Sequence, residues 1–437
     1  MFSLSAIPFI LLPLTIARPI DLDGNGIPDF CVPQDNGSTL CLDPNGKWIE
    51  PPSQDVVAPQ TTSPQPTATT GTQNPTDSTA PLVALPTASS LPPLNPFGKT
   101  ADFASAKGTK WDISYIGDIK YTGSLATKSV YGDKCRTSKI GSKVIWNCGD
   151  MSCNPNVDVC GFAMGPAFYG TDDVMTIDTD DVTSVQNNNF VEPWVGDAQP
   201  EAPQTSWGMD TSNVAPINDT HGVAFARQIW RGAPDGSYAD QGNAVASITL
   251  GQTMPKATRV GPLLTGPDIA ELGLVAILRD GEYIYVYSMA GPSKVAVSRV
   301  PASDDVFDRA NYESLVYDPD SLYTMGTWHA GLPLKDTSSS ASSPSSPNTN
   351  TASPIYGMTT LEPLYTIICN IFMSFTNMYL SDTPYGPWST GYSLLSEVSG
   401  YGSHAHPEYS EEGGRTIYFS QGPNGQFQMY KVTFDGY

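Results

Sequence analysis

The chain has 437 residues, more than one small domain needs, yet its 39 prolines and 39 glycines assign much of it to linkers and turns. With 39% hydrophobic and 15% charged residues, an ordinary globular core fits in the remainder. Formal net charge is −22, from 22 Lys and Arg against 44 Asp and Glu, and no basic cluster interrupts it, which excludes nucleic acid or an anionic membrane surface as partner.

The first element is a leader. MFSLSAIPFILLPLTIARPID has an apolar run from Leu4 to Ile16, then small Ala17 before Arg18. Residues 1–17 therefore read as a secretory signal peptide, without the usual basic start and too short to span a bilayer. No later stretch is long and apolar enough for a transmembrane segment. The expected location is secreted, extracellular or cell-wall associated.

Residues 18–49 form a small module. DLDGNGIPD sets Asp21, Asp23, Asn25 and Asp29 at positions 1, 3, 5 and 9 of an EF-hand-like loop, with Gly26 at the sharp turn. Oxygen ligands at that spacing can wrap one calcium ion. Val32 stands where a bidentate Glu belongs, so the loop is similar to the shortened calcium loops of dockerin-like and thrombospondin-type repeats. The alternative is an Asp/Asn/Gly turn held by Cys31 and Cys41 without metal. Residues 50–107 are rich in Pro, Ser and Thr and cannot pack a core, which reads as a disordered, extended, O-glycosylated stalk. A second tract of that chemistry, 335–354, reads as a disordered loop insertion, because patterned strands resume after it.

Seven cysteines agree with export. Cys31 pairs with Cys41, while Cys135, Cys148, Cys153 and Cys160 form a cluster that allows three pairings. Cys369, inside YTIICNIFMSF, reads as a buried thiol. Asn36 and Asn218 each open an N-glycosylation sequon.

From residue 108 to 437 the pattern is all-β. Alternation marks strands in VAFARQIW (223–230), NAVASITL (243–250), GEYIYVYS (281–288), KVAVSRV (294–300), CNIFMSF (369–375), RTIYFSQ (415–421) and QFQMYKVTF (426–434). Helical periodicity is confined to DIAELGLVAIL (268–278) and ASDDVFDRANYESL (302–315). A strand, a tight gap, a second strand and an aromatic-rich loop recur in IYVYSMAGPSKVAVSRV, FMSFTNMYLSDTPYGPWS and IYFSQGPNGQFQMYKVTF. Such blocks cannot cover their own apolar faces and stack around an axis, which points to a β-propeller of about five blades, with a sandwich as the alternative.

YGDKCRTSKIGSKVIWNCGD (131–150) is the most informative stretch. Gly141-Ser142 has the composition of a two-residue type II′ turn, and partners across it then total 283. That register sets Cys135 opposite Cys148 and Asp133 opposite Asp150, all four on one face. Opposed Cβ atoms lie about 4.5–5.5 Å apart, which suits a disulfide and is awkward for two like charges. Retaining glycosidases use two carboxyl groups at about 5–5.5 Å. Asp133 and Asp150 are accordingly the candidate catalytic pair, and loop capping at the hairpin mouth is the alternative.

At these residues the chain resembles a known family. GDKCRTSKIGSKVIWNCGD, EYIYVYS followed by VAVSRVPASDDVFDRANYE, MYLSDTPYGPWS and HAHPEYSEEGGRTIYFSQG are similar to segments of the five-bladed β-propellers of the domain of unknown function 4185 family. Characterised members are retaining, endo-acting glycoside hydrolases that cut D-arabinofuranose polymers. The resemblance, over residues 110–437, implies the same catalytic aspartates, the second in a Trp-x-x-Gly-Asp segment that falls on Asp150 of WNCGD and the first on Asp133. The chain departs from the family in its flanking cysteines, its long acidic 150–220 region and its Ser-rich insertion.

Secondary candidates surround this pair. His406 of the HPE segment, Glu271 and Glu408 are substrate-binding candidates, the glutamates as alternative acids. His404 could reach the axis. Trp146, Trp194, Trp207, Trp230 and Trp388 could stack on sugars or pack between blades. The expectation is a monomer that needs no cofactor for catalysis and has a polysaccharide or glycoconjugate partner, acting as a glycoside hydrolase on an arabinan-like polymer. The alternative is a non-catalytic carbohydrate-binding or wall-associated propeller.

Overall fold

The computed structural model describes residues 31–33, 39–42 and 48–49, and most of 111–434 apart from 154–159, 187, 292–293, 318–325, 336–354, 359–363, 372–374, 382, 387, 389–391, 397–400 and 423–426. The leader, Asp21, Asp23, Asn25, Asp29, Asn36, the stalk and the 336–354 insertion lie outside the described residues. The chain divides into two compact units, 1–83 and 84–437. In the first, strands Cys31–Pro33, Thr39–Leu42 and Trp48–Ile49 make a small antiparallel sheet. Its register sets the backbone of Cys31 opposite that of Cys41. The side chains there lie outside the description, as does that of Cys369 on the Leu364–Ile371 strand.

The second unit is all-β and built from sheets that follow one another in chain order. The first sheet runs from Cys135–Ile140 through Lys143–Cys148, Ala167–Gly170 and Thr176–Asp178 to Lys120–Tyr121. The second holds Ser206–Thr211, His221–Arg231, Ala239–Leu250 and Pro255–Arg259, with Ala215–Pro216 continuing its first strand. The third starts at Glu271–Asp280 and ends at Gly326–Ala330, and the fourth spans Ile355–Met358 to Tyr392–Ser396. The last sheet holds Tyr401–Ala405, Thr416–Gly422 and Gln428–Phe434, and is completed by Trp111–Asp118 from the start of the unit.

Contacts between sheets close a ring. Cys135–Ile140 touches Ala215–Pro216, which touches Glu271–Asp280, which touches Ile355–Met358. Leu364–Ile371 of the fourth sheet touches Tyr401–Ala405, which returns to Cys135–Ile140. This is a propeller-type arrangement, since each sheet covers the apolar face of the next and the strand from the N-terminal end locks the last one. Ile140, Ile145 and Tyr169 of the first sheet pack with Met209, Ala224 and Ala246 of the second. Each large aliphatic side chain among these contributes about 1.5–3 kcal/mol, and each alanine methyl about 0.8 kcal/mol.

Three expectations need correction. DIAELGLVAIL is a strand with a bulge, not a helix: Gly273 takes φ +65, and Glu271–Ile277 are all buried. Burial on both faces erases the alternation that would have marked it. ASDDVFDRANYESL yields two short 3-10 turns, Asp304–Phe307 and Arg309–Asn311, capped by Ser303 and Asp308, before the Glu313–Tyr317 strand. CNIFMSF is a hairpin rather than one strand, with Ile371 paired to Phe375.

Candidate functional site

The hairpin at the start of the ring follows the arithmetic of its turn. Gly141 takes φ +55, and Cys135 through Ile140 pair with Cys148 through Lys143. Cys135 is bonded to Cys148 and Cys153 to Cys160, which selects one of the three pairings. The register resumes beyond Cys135 and Cys148: Gly132 faces Met151, Tyr131 faces Ser152 and Val130 faces Cys153. Asp133 and Asp150 sit between these paired stretches, and the Asp133 amide donates to the Asp150 carbonyl at 3.0 Å. Both side chains are half-buried.

The expected single face for all four side chains does not hold. The Gly149 amide also donates to the Lys134 carbonyl, at 2.6 Å. A flat antiparallel ladder bonds only alternate pairs, so two consecutive bonds mark a local twist. Asn147 donates to the Ser212 carbonyl of the second sheet at 2.6 Å, while the Asp150 carboxylate meets Arg231 of that sheet, also at 2.6 Å. Residues three apart on a regular strand point to opposite faces, so the alternation slips between them. Gly149 permits this close approach, because a Cβ there would lie 2.9 Å from Asp133 Cβ.

Beside the aspartates lies a network of paired charges that sequence reading missed. Lys134 Nζ is 2.7 Å from Asp210, and buried Arg136 lies 3.9 Å from the same carboxylate. Burial alone would raise the Asp210 carboxyl, but Lys134 and Arg136 outweigh it and hold it below the usual carboxylate range. Arg227, opposite Asp210 in the strand register, bridges Asp240 at 3.1 Å and Glu271 at 3.0 Å. Lys335 completes the set, at 2.5 Å from Asp240 and 3.1 Å from Glu271. Lys335 is therefore a fixed ion-pair partner rather than the first residue of a disordered insertion. An arginine within the largely apolar VAFARQIW was the available signal for this network.

Glu271 thus belongs to the charge network, whereas His406 and Glu408 gather elsewhere, around Thr137 of the first strand. Glu408 accepts from the Thr137 hydroxyl at 2.5 Å, and His406 Nδ1 lies 3.3 Å from it. Burial raises the Glu408 carboxyl, with the Thr137 bond opposing. His406 stacks on fully buried Trp146 at 4.5 Å, and burial lowers its pKa to about 3. Trp146 is accordingly a packing residue and presents no face to a sugar. Arg136 donates to the carbonyls of Thr211 and of Leu274, the latter at 2.6 Å, tying the first three sheets together. His404 is fully buried, and burial followed by the Arg136 and Lys134 charges drives its pKa well below the usual value.

Among the described residues no group of three or more His, Cys, Asp or Glu could hold a metal ion, and no helix is long and apolar enough to cross a membrane. Asn218 is exposed, its side-chain oxygen accepting from the Thr220 amide and hydroxyl, in the turn that packs on Gly141 at the hairpin tip.

No family model matches the chain, and no curated protein matches it in sequence. Among solved structures it is similar to a candidate hydrolase from Bacteroides ovatus, 15% identical with a TM-score of 0.50, over 75% of this chain and 92% of that one. An exo-β-1,3-galactanase from Phanerochaete chrysosporium is 11% identical with a TM-score of 0.43, over 73% of this chain and 64% of that chain. The GH43_1 enzyme from Xanthomonas citri, solved with xylotriose, is 12% identical with a TM-score of 0.37, over 70% of this chain and 87% of that one. At these identities the likeness to the first is one of fold.

Proposed function

We propose that the second unit is a five-bladed β-propeller that hydrolyses a furanose-rich, arabinan-like polysaccharide outside the cell, with Asp133 and Asp150 as its catalytic pair. One observation supports this reading: a disulfide-fastened hairpin keeps one register on either side of the two aspartates, whose backbones are joined by the Asp133 amide to Asp150 carbonyl bond, with both side chains half-buried beside a cluster of charged side chains. A retaining pair needs carboxyls about 5–5.5 Å apart, a separation within reach of two aspartates whose backbones are hydrogen-bonded across neighbouring strands. In that mechanism one carboxylate attacks the anomeric carbon while the other carboxyl gives its proton to the departing glycosidic oxygen. Water, deprotonated by the second group, then hydrolyses the glycosyl ester and restores both. Arg231 anchors the Asp150 carboxylate, which limits its freedom to swing away.

A second reading is a carbohydrate-binding propeller without turnover. It is favoured by the pairing of Asp150, Asp210, Asp240 and Glu271, each within 3.1 Å of a cation, which suits a rigid recognition surface. Asp133→Asn and Asp150→Asn separate the two. Loss of sugar release from arabinan with unchanged circular dichroism supports the enzyme. If the parent protein releases nothing from any polymer while both variants keep its glycan affinity, the binding reading replaces it.

A further inference from the structure

Two large aromatic side chains stand out of the surface beside the candidate site. Phe162 is 42% exposed and Tyr238 is 56% exposed, so each shows solvent much of a ring. Neither is loose. The Arg231 guanidinium lies 5.6 Å from the Phe162 ring centroid, and the Arg227 guanidinium lies 5.1 Å from that of Tyr238. Both arginines are held in turn by carboxylates, Arg231 by Asp150, Arg227 by Asp240 and Glu271. A cation on one face of a ring holds the ring in place and leaves the other face available for stacking.

Arg227 and Arg231 are four residues apart on one strand of the second sheet, on the same face, because the extra residue at the irregularity there falls on the partner strand. At about 3.3 Å per residue their backbones lie ~13 Å apart, a span longer than one sugar, with one ring supported from each end of it. The cations lining that stretch are already matched: Lys134, Arg227, Arg231 and Lys335 each have a carboxylate within 3.1 Å. An acidic sugar would have to break one of these pairs and leave a half-buried carboxylate unmatched, whereas a neutral sugar needs only apolar faces and hydrogen bonds.

We infer that Phe162 and Tyr238 are the sugar-stacking rings of a cleft that takes a neutral polysaccharide chain between the small sheet of Val130–Gly132, Met151–Cys153 and Phe162–Ala163 and the second sheet, with Arg231 and Arg227 as their supports. This rests on the glycan-binding part of the proposed function and not on turnover.

The test is affinity electrophoresis of the full chain through gels containing arabinan, galactan, xylan or polygalacturonate, run beside an assay of released reducing ends. The parent and the variants Phe162→Ala, Tyr238→Ala and Tyr238→Phe are compared. The expected result is retardation by a neutral polymer, none by polygalacturonate, and about tenfold weaker retention for each alanine variant, roughly 1.4 kcal/mol. Tyr238→Phe keeps its ring and should stay close to the parent. Retention unchanged in both alanine variants overturns the inference even if hydrolysis is observed. So does preferential retention by polygalacturonate, or no retention of the parent by any polymer. Ring-dependent retention without reducing ends sustains the inference while the hydrolase reading fails.

Discussion

The amide of Asp133 donates to the carbonyl of Asp150 at 3.0 Å, across a hairpin whose next residue inward, Gly149, has no room for a side chain. A Cβ at Gly149 would lie 2.9 Å from Asp133 Cβ and 3.3 Å from Lys134 Cγ. Gly149→Ala should therefore push the two aspartates out of register while leaving the buried core intact. We expect about 1–3 kcal/mol of lost stability, in the range of a modest overpacking. Sugar release should fall more than about tenfold, since small displacements of reacting groups are expensive in rate. Thermal melts alongside reducing-end assays check this, and an Ala variant with parental activity would count against the pair.

Arg231→Met separates anchoring from chemistry at Asp150. The ion pair is short, at 2.6 Å, but its side chains are 29% and 30% exposed, so its loss should cost at most about 1 kcal/mol. If Asp150 reacts with substrate, its carboxylate in Arg231→Met is present but less well held. The variant should retain a measurable fraction of turnover, roughly one part in ten to one in a hundred by the effect of misplacement, whereas Asp150→Asn should retain none. Equal residual rates in the two variants would mean that Asp150 only positions Arg231.

How far the chain could be read in advance depended on whether the signal was local. The Gly141-Ser142 turn, the Cys135–Cys148 bridge and the strand Tyr283–Gly291 are written in neighbouring residues, through turn chemistry and period-two alternation, and the structure keeps them. Glu271–Asp280 escaped because it is buried on both faces and bulged, so no alternation remained. The Lys134–Asp210 and Arg227–Glu271 pairs escaped for a different reason. Their members are 76 and 44 positions apart, and only the packing of successive sheets against one another brings them together. The slip between Asn147 and Asp150 is a further tertiary effect, set by the second sheet and invisible to a register count.

Removing the Cys135–Cys148 bridge tests how much the hairpin depends on sulfur. The bond closes a sequence separation of 13, for which the chain-entropy estimate is about 3 kcal/mol. Cys135→Ala with Cys148→Ala should lower the melting temperature by several degrees, and part of the activity should go with it, because the aspartates lie two residues beyond the bridge on each strand. The adjacent Cys153–Cys160 bond should remain, which peptide mapping of the unreduced variant can verify. A variant that melts with the parent would show that the strand pairing needs no bridge.

Acid should destabilise this fold through the histidines packed against its first strand. In an unfolded chain His406 titrates near the ordinary 6.5, whereas burial lowers its folded value to about 3. Between these values the unfolded state binds the extra proton, so stability falls as pH drops from about 6.5 toward 3 and is fully present above 6.5. Each pH unit in that window removes up to about 1.4 kcal/mol for this residue. His404, lowered by burial and by Arg136 and Lys134, acts in the same direction, and so does Asp210, whose folded form stays ionised as the pH falls. Glu408 opposes them, since burial raises its carboxyl and the folded state takes up its proton first. Urea midpoints at pH 7.0, 5.5 and 4.5 should therefore decline steadily in the parent. In His406→Phe, which keeps an aromatic ring against Trp146 but cannot titrate, the decline should be shallower by roughly that one-proton slope. Parallel profiles for the two proteins would rule out His406 as a source of the acid sensitivity in this range and assign it to His404, since Asp210 acts only below about pH 4.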